Sequence, residues 1–430
     1  MSSMVGSAHW TPAATIFQSE RYARFVDAIV VALAVSLPWS TSATGILVGL
    51  WLIAIVPTLE VAAVRRTLAT PAGGIPVLLW MLALVGMLWA FDVSWAERWA
   101  GLRGFHKLLL IPLLIVQFQR SERAWWVING FVISCCILLA LSWILIFVPD
   151  LFGKALHTNT DGVPVKDYIA QSGEFTFCAF LLAALALKRW PEHRRNAIAL
   201  LLLIAVFLIN VLYVAHSRTA LVIIPILLLL FACQHLNRKG MVSLLLAGVV
   251  VAALSWALVP AVRDNVTNMS NEMRQYQSAG DRTRAGERLE FWKKSIGFIA
   301  DAPVVGHGTG SVRDQFRRSV GHEKGMAALA SENPHNQTFA VAIQLGLAGA
   351  VVLFAMWLAH LSLFRGGGFA GWVGLVIVTQ NIVSSLFNSH LFDFTQGWSY
   401  VVGVGVAAGV VFRNEALGAS HGGAQSSGGS

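Results

Sequence analysis

The chain has 430 residues, of which 56% are hydrophobic and only 12% charged, and its mean hydropathy is +0.66. Those values exclude an ordinary soluble protein and call for a polytopic membrane protein. The formal net charge of +9 does not point to nucleic acid, because the basic residues fall in short loops between apolar spans or in one long polar loop. Membrane topology and an anionic ligand account for them there.

Apolar runs at about 25–40, 42–60, 75–91, 104–118, 124–148, 172–187, 196–214, 220–234, 241–261, 335–359, 370–390 and 397–411 predict an all-α fold of about 12 transmembrane helices. An open sheet is impossible in lipid. The runs near 104–118, 220–234 and 397–411 are shorter than a perpendicular span needs, so they tilt little, extend into polar flanks or break. Arg21 and Arg24 precede the first run, which reads as a retained anchor. The short loops holding Arg65-Arg66, Arg120, Arg123, Lys188-Arg189, Arg238-Lys239 and Arg365 fall on one side, which predicts cytoplasmic termini. The expected organisation is nine membrane helices over 1–261, a periplasmic loop domain over 262–334, three more helices over 335–414, and a disordered cytoplasmic Gly/Ser-rich tail over 415–430. Loops at 149–171 and 92–103 share the periplasmic side. Cys135, Cys136, Cys178 and Cys233 lie inside apolar runs with no CxxC, and read as core thiols.

The 262–334 loop concentrates cations and closes on Asn333-Pro334-His335-Asn336, just before a membrane-length apolar run. With Asn333 as N-cap and Pro334 in the first turn, His335 would sit at a helix N-terminus, where the dipole disfavours imidazolium and keeps the ring neutral at pH 7. Leu289, Trp292, Ile296 and Ile299 recur at the spacing of one helical face, so 281–299 is an amphipathic helix. It carries Arg284 and Arg288 one turn apart; a helix resting on the bilayer surface shows the same stripe. Gly306, Gly308 and Gly310 then mark a turn.

His216-Ser217-Arg218-Thr219-Ala220 interrupts nearly continuous apolar sequence. An arginine costs ~2.5 kcal/mol or more in lipid, so Arg218 faces a wet cavity or a counter-charge, or snorkels to the interface. Arg103 and Lys107 pose the same question at the start of another run. Asn388, His390 and Asp393 cluster at the end of the 370–390 run, with Asp393 placed to orient a histidine or form an ion pair.

Taken in order, Ser217-Arg218-Thr219-Ala220 on a membrane helix, a large late loop with Arg288 and the glycine turn, and His335-Asn336 heading the next helix resemble the O-antigen ligase and O-antigen polymerase superfamily, and most of all its ligases. That resemblance implies a GT-C type glycosyltransferase fold in the bacterial inner membrane. It also implies a donor of O-antigen on undecaprenyl diphosphate, a lipid A-core acceptor and an active site facing the periplasm. His335 then corresponds to the family's loop histidine, and Arg218 and Arg288 to its diphosphate-binding arginines; Arg284, Asn336, Arg103, Lys107 and Asp393 are candidates for supporting roles. The periplasmic loops hold no Asp-Asp or Asp-x-Asp pair, so no metal and no other cofactor is expected.

The residue chemistry points the same way. Charge develops on a diphosphate as the sugar C1–O bond breaks, arginines stabilise it, and a hydroxyl nucleophile needs a base such as His335. A single displacement inverts the anomeric centre. An O-antigen polymerase or a protein O-oligosaccharyltransferase would share the donor and the arginines. A lipid-linked anion transporter or flippase would instead show repeated halves and polar residues at mid-membrane depth.

Overall fold

Within hydrocarbon a backbone N–H or C=O meets no water, so a spanning segment satisfies both groups inside its own helix. In the computed structural model, which describes residues 17–149, 160–258, 260–279, 283–320, 331–366 and 368–426, every regular element among the described residues is helical. The chain is an all-α polytopic membrane protein.

Helices α1 (Glu20–Ser36) and α2 (Thr41–Ile55) lead to a short α3 (Val61–Leu68), set at 85° to α4 (Pro71–Gly86). Next, α5 (Trp95–His106) and α6 (Leu110–Arg120) form one span through a 3-10 turn at Lys107–Leu109. Five spans follow: α7 (Ala124–Phe147), α8 (Tyr168–Arg189), α9 (Arg194–Tyr213), α10 (Arg218–His235) and α11 (Arg238–Leu258). The long loop contributes α12 (Pro260–Ala279), α13 (Arg284–Asp301) and α14 (Ser311–Val320), and the chain returns through α15 (Gln337–Phe364), α16 (Gly368–Ser384) and α17 (Phe394–Ser426).

Nine of the described helical stretches are long and apolar enough to cross a membrane, and the bent α3–α4 pair supplies a tenth. The remaining two apolar runs carry α1 and α16, each 17 residues long. The three short runs all extend into polar flanks: α5 carries the 104–118 run back to Trp95, α10 takes in Arg218 and His235, and α17 begins at Phe394 and runs to Ser426. That last extension runs into the 415–430 stretch expected as a disordered tail. Ala416, Leu417 and Ala419 favour helix and carry α17 onward, while residues 427–430 lie outside the described residues. Residues 150–159, within the expected 149–171 loop, also lie outside them.

Burial separates the centre of the bundle from its rim. Most of the apolar window of α8 (78%) is buried within the protein, whereas none of that of α11 is. Cys135 and Cys178 are core thiols as expected, but Cys233 is exposed on the outer surface of α10. Asp27, 2% exposed, ties the other end of the bundle together by accepting from Gln117 Nε2 at 2.8 Å, Ser121 Oγ at 2.7 Å and Arg123 at 3.2 Å.

The loop helices have a small core of their own. Phe291 and Phe298 of α13 pack edge-on against Phe316 of α14, with Val312 and Ile343. The buried stripe of α13 is therefore Phe291, Ser295 and Phe298, spaced four and three; Ile296, expected on the buried face, is exposed. Aromatic rings on the neighbouring stripe bury more area than Leu289 and Ile296 can, and they set the helix rotation.

The glycine turn does more than reverse the chain. Gly346 adopts φ 61°, ψ −160° inside α15 and breaks it. The N–H groups of Leu347 and Ala348, which in an unbroken helix bond the carbonyls of Ile343 and Gln344, donate instead to Pro303 O and Val304 O at 2.8 and 3.1 Å. The two abandoned carbonyls accept from His307 N–H and Gly308 N–H, both at 2.9 Å. Four groups freed by the break are thus matched by four groups of the strap formed by residues 303–310. Thr309 also donates from its N–H to Gly86 O at the end of α4, and Gly310 N–H donates to the Gln344 side chain. A Cβ at Gly346 would stand 2.3 Å from Val304 O. Gly346→Ala should therefore either expel the strap or strain it, lowering stability by roughly 2 kcal/mol or more. A melting curve in detergent checks this, together with labelling of a cysteine introduced at Val305, which should react faster in the variant.

Candidate active site

Three of the helices that begin on the face carrying the long loop begin alike. A side chain caps each: Asp167 for α8, Ser217 for α10 and Asn336 for α15. The residue just before each cap is left-handed: Lys166 (φ 57°), His216 (φ 49°) and His335 (φ 53°), the three non-glycine residues with positive φ among the described ones. Such conformations cost of order 1–3 kcal/mol each and persist where surrounding contacts over-determine them.

For His335 those contacts are visible. Its backbone N–H donates to Asn333 Oδ1 at 2.9 Å, its ring Nδ1 lies 3.1 Å from Asn388 Oδ1, and the ring stacks on Phe291 at 26° with centroids 6.0 Å apart. The cap of α15 is therefore Asn336, which accepts from Phe339 N–H and donates to Leu386 O; Asn333 is an upstream bracket, and Pro334 lies outside the helix. The expected placement of His335 inside the first turn is corrected accordingly. Burial first, and then the Arg288 guanidinium, hold the imidazole below the usual histidine range, against the Asn388 hydrogen bond and Glu287. Desolvation and a neighbouring cation, rather than a helix dipole, are thus what disfavour the charged ring.

The segment between α16 and α17 is zipped to the start of α15. Gln337 N–H donates to Ser385 O, and Leu391 N–H donates to Gln337 Oε1, both at 2.9 Å. This fixes Asn388, His390 and Asp393 around His335. Asp393 accepts from Asn388 Nδ2 at 2.9 Å, and burial pushes its carboxyl up to about 6. His390 is pushed down to about 4, by burial first and then by Arg288 and His335. Its Nδ1 is buried without a partner among the described residues.

The expected site residues fall into distinct groups. Arg288 acts electrostatically on both His335 and His390. Arg218, the first residue of α10, pairs through both terminal nitrogens with Glu272 of α12, at 3.0 and 3.4 Å. Glu272 also accepts from Ala285 N–H at the start of α13, so Arg218 is linked through it to the helix that carries Arg288. Lys107 is buried and donates to the carbonyls of Phe392 and Asp393, at 3.1 and 2.8 Å, stapling the α16–α17 segment in place. Arg103 is exposed on α5, and no hydrogen bond or ion pair to a described residue joins it to this group. The Arg284 side chain lies outside the described residues. Arg317 and Arg318 are engaged by Glu97 and Asp92. The roles of Glu272 and Asn333 were not readable beforehand; a lone acid among loop cations gives no pairing signal across 54 residues.

Beneath His390 lies a cavity of about 40 Å³, bordered by Ser217 and Thr219 at the start of α10 and by Glu174, Gln380 and Thr395. Helix N-termini at its rim present partial positive charge. Among the described residues no group of three or more His, Cys, Asp or Glu is arranged to hold a metal ion.

A family model described as O-antigen ligase (Wzy_C) matches residues 203–354. The match runs from α9 into α15 and includes Arg218, Arg288, the strap and His335. No curated protein matches the chain.

Because glycine adopts the left-handed region without a Cβ penalty, His335→Gly should melt at or above His335→Ala, despite its larger unfolded-state entropy. Thermal unfolding of both variants in the same detergent checks this.

Proposed function

On the match of an O-antigen ligase family model to residues 203–354, we propose that the chain is a member of that family and transfers an O-antigen glycan from undecaprenyl diphosphate to a sugar hydroxyl of lipid A-core. The carrying observation is the bracketing of His335 by Asn333 and Asn388 with the Arg288 charge acting on its ring. The Lys/Arg asymmetry of the short loops supports a site facing the periplasm, both termini in the cytoplasm and a bacterial inner-membrane location.

The acceptor oxygen attacks the anomeric carbon as its proton passes to His335, and the C1–O bond breaks with its electron pair leaving on the diphosphate. One displacement inverts the anomeric centre. Charge grows on the leaving group, and Arg288 is placed to stabilise it in a partly desolvated site. Arg218 joins Arg288 on the diphosphate when the donor phosphate displaces Glu272, an exchange of one bidentate anion for another. The guanidinium charges make a divalent metal unnecessary for neutralisation, so transfer proceeds in excess EDTA. Asn336 acts by capping α15, and Lys107 and Asp393 by holding the segment opposite. A GT-C type fold accords with this chemistry.

His335→Ala should reduce transfer by ~10²- to 10⁴-fold, the range for loss of a general base. His335→Gln should be nearly as inactive, since glutamine accepts a hydrogen bond but not the proton. Transfer by purified protein from lipid-linked glycan to lipid A-core checks both variants; near-normal activity of His335→Gln would contradict the base role. In a deletion strain the ligase reading predicts polymer absent from lipid A-core with lipid-linked chains accumulating, whereas single-repeat lipopolysaccharide would identify a polymerase.

A further inference from the structure

We propose that Asn388 is a positioning residue that locks His335 in its Nδ1–H tautomer, so that Nε2 is the ring nitrogen that takes the acceptor proton. The inference rests on the transferase reading for its last clause only; the tautomer follows from hydrogen-bond directions.

One donor at the site cannot be reassigned. The backbone N–H of His335 points at one side-chain atom of Asn333 at 2.9 Å, so that atom is the amide oxygen. Ser389 Oγ donates to the same oxygen at 2.7 Å. The other arm of Asn333 is then its NH₂, which donates to Asn388 at 2.7 Å, so the atom it meets there is the Asn388 oxygen. A second anchor gives the same answer from the opposite end. The other Asn388 arm lies 2.9 Å from Asp393 Oδ2, and as the NH₂ it donates to that carboxyl oxygen, which agrees with the first assignment.

Both anchors turn the Asn388 oxygen toward the His335 ring. A carbonyl oxygen does not donate, so the Nδ1 atom 3.1 Å away must carry the hydrogen. In a neutral imidazole the lone pair then sits on Nε2, for which no described residue supplies a hydrogen bond. The arrangement resembles in logic the carboxylate that orients a catalytic histidine, with a neutral amide inserted between acid and ring. The insertion matters electrostatically. A carboxylate directly on Nδ1 would favour imidazolium and make the base a weaker participant at neutral pH; the amide fixes the tautomer without that cost. Once the proton has arrived, Nδ1–H becomes a charged donor and its bond to Asn388 strengthens.

The charged and titratable groups around the ring are Arg288 and Glu287 from α13, and His390 and Asp393 from the segment after α16, with Lys107 behind Asp393. None of them reaches Nδ1, which leaves Asn388 as the residue that decides the tautomer.

The test is nitrogen NMR of the full-length protein in lipid nanodiscs, with ¹⁵N-labelled histidine and His335 assigned by difference from His335→Gln among the 12 histidines. Wild type should show the Nδ1–H signature for His335. Asn388→Leu, of similar size but unable to accept, should lose it, and kcat should fall about 10- to 10³-fold, as for a wrongly oriented catalytic histidine, with donor KM little changed. Asn388→Asp keeps an acceptor on Nδ1 and adds a negative charge, so it should retain the tautomer while the acid limb of the pH–rate profile moves to higher pH. That limb shift is not expected from a merely structural residue, and it decides the matter if the leucine variant does not fold. An Nε2–H signature in wild type, or unchanged kcat and pH profile in both variants, would overturn the proposal. The nitrogen signature is read without substrate, so it separates this failure from failure of the transferase reading, which shows as full transfer by His335→Gln.

Discussion

Two helical hydrogen bonds opened at Gly346 govern how the long loop sits on the membrane helices. A break inside a membrane helix exposes two carbonyls and two N–H groups where water is scarce, and each left unpaired costs several kcal/mol. The 303–310 strap supplies a partner for each of the four, and it also takes up the end of α4 through Gly86 O. The loop is thereby keyed to α15 at one register. Because α13 leads into the strap and α14 leads out of it, the key also fixes α13 above the start of α15, and with it Arg288 beside His335.

The site repeats one local device at three places. A left-handed residue, a capping side chain and a helix succeed one another at Lys166-Asp167, His216-Ser217 and His335-Asn336. A chain that turns through the left-handed region just before a cap can place the preceding side chain beside the helix entrance, off its axis. Lys166 and His335 direct their side chains into polar contacts with other elements: Lys166 reaches Thr395 and the Leu37 carbonyl, and His335 reaches Asn388. Strain held by such cross-element contacts is characteristic of functional positions.

How much of this was readable from the residues varies with the range of the interaction. The all-helical membrane bundle, the amphipathic α13 and the chain order Arg218, Arg288, His335 all follow from hydropathy, periodicity and charge, which are local, whereas the groups that disfavour a charged His335 ring are burial and Arg288, not a helix dipole. The cap moved by three residues because Asn333 and Asn336 are equally good caps by type. The choice was made by Ser385, Leu386, Ser389 and Asn388, some 50 residues further on. The α13 face was misjudged for a similar reason: Phe316 selects Phe291 and Phe298. The glycines were legible as a turn but not as the mate of a break, since Gly346 inside an apolar run gives no sign of its conformation. The Glu272 partner of Arg218 and the stapling role of Lys107 are long-range pairings, which sequence spacing does not carry.

The central claim is that Arg288 and His335 form one site for a diphosphate. Titration of His335 by ¹⁵N NMR, with and without undecaprenyl diphosphate in the nanodisc, tests it most directly. Without the lipid the account predicts a pKa below the ordinary value of about 6.5. With it, the anion neutralises Arg288 and adds negative charge beside the ring, so the pKa should rise. A His335 titration unmoved by saturating lipid would contradict the account.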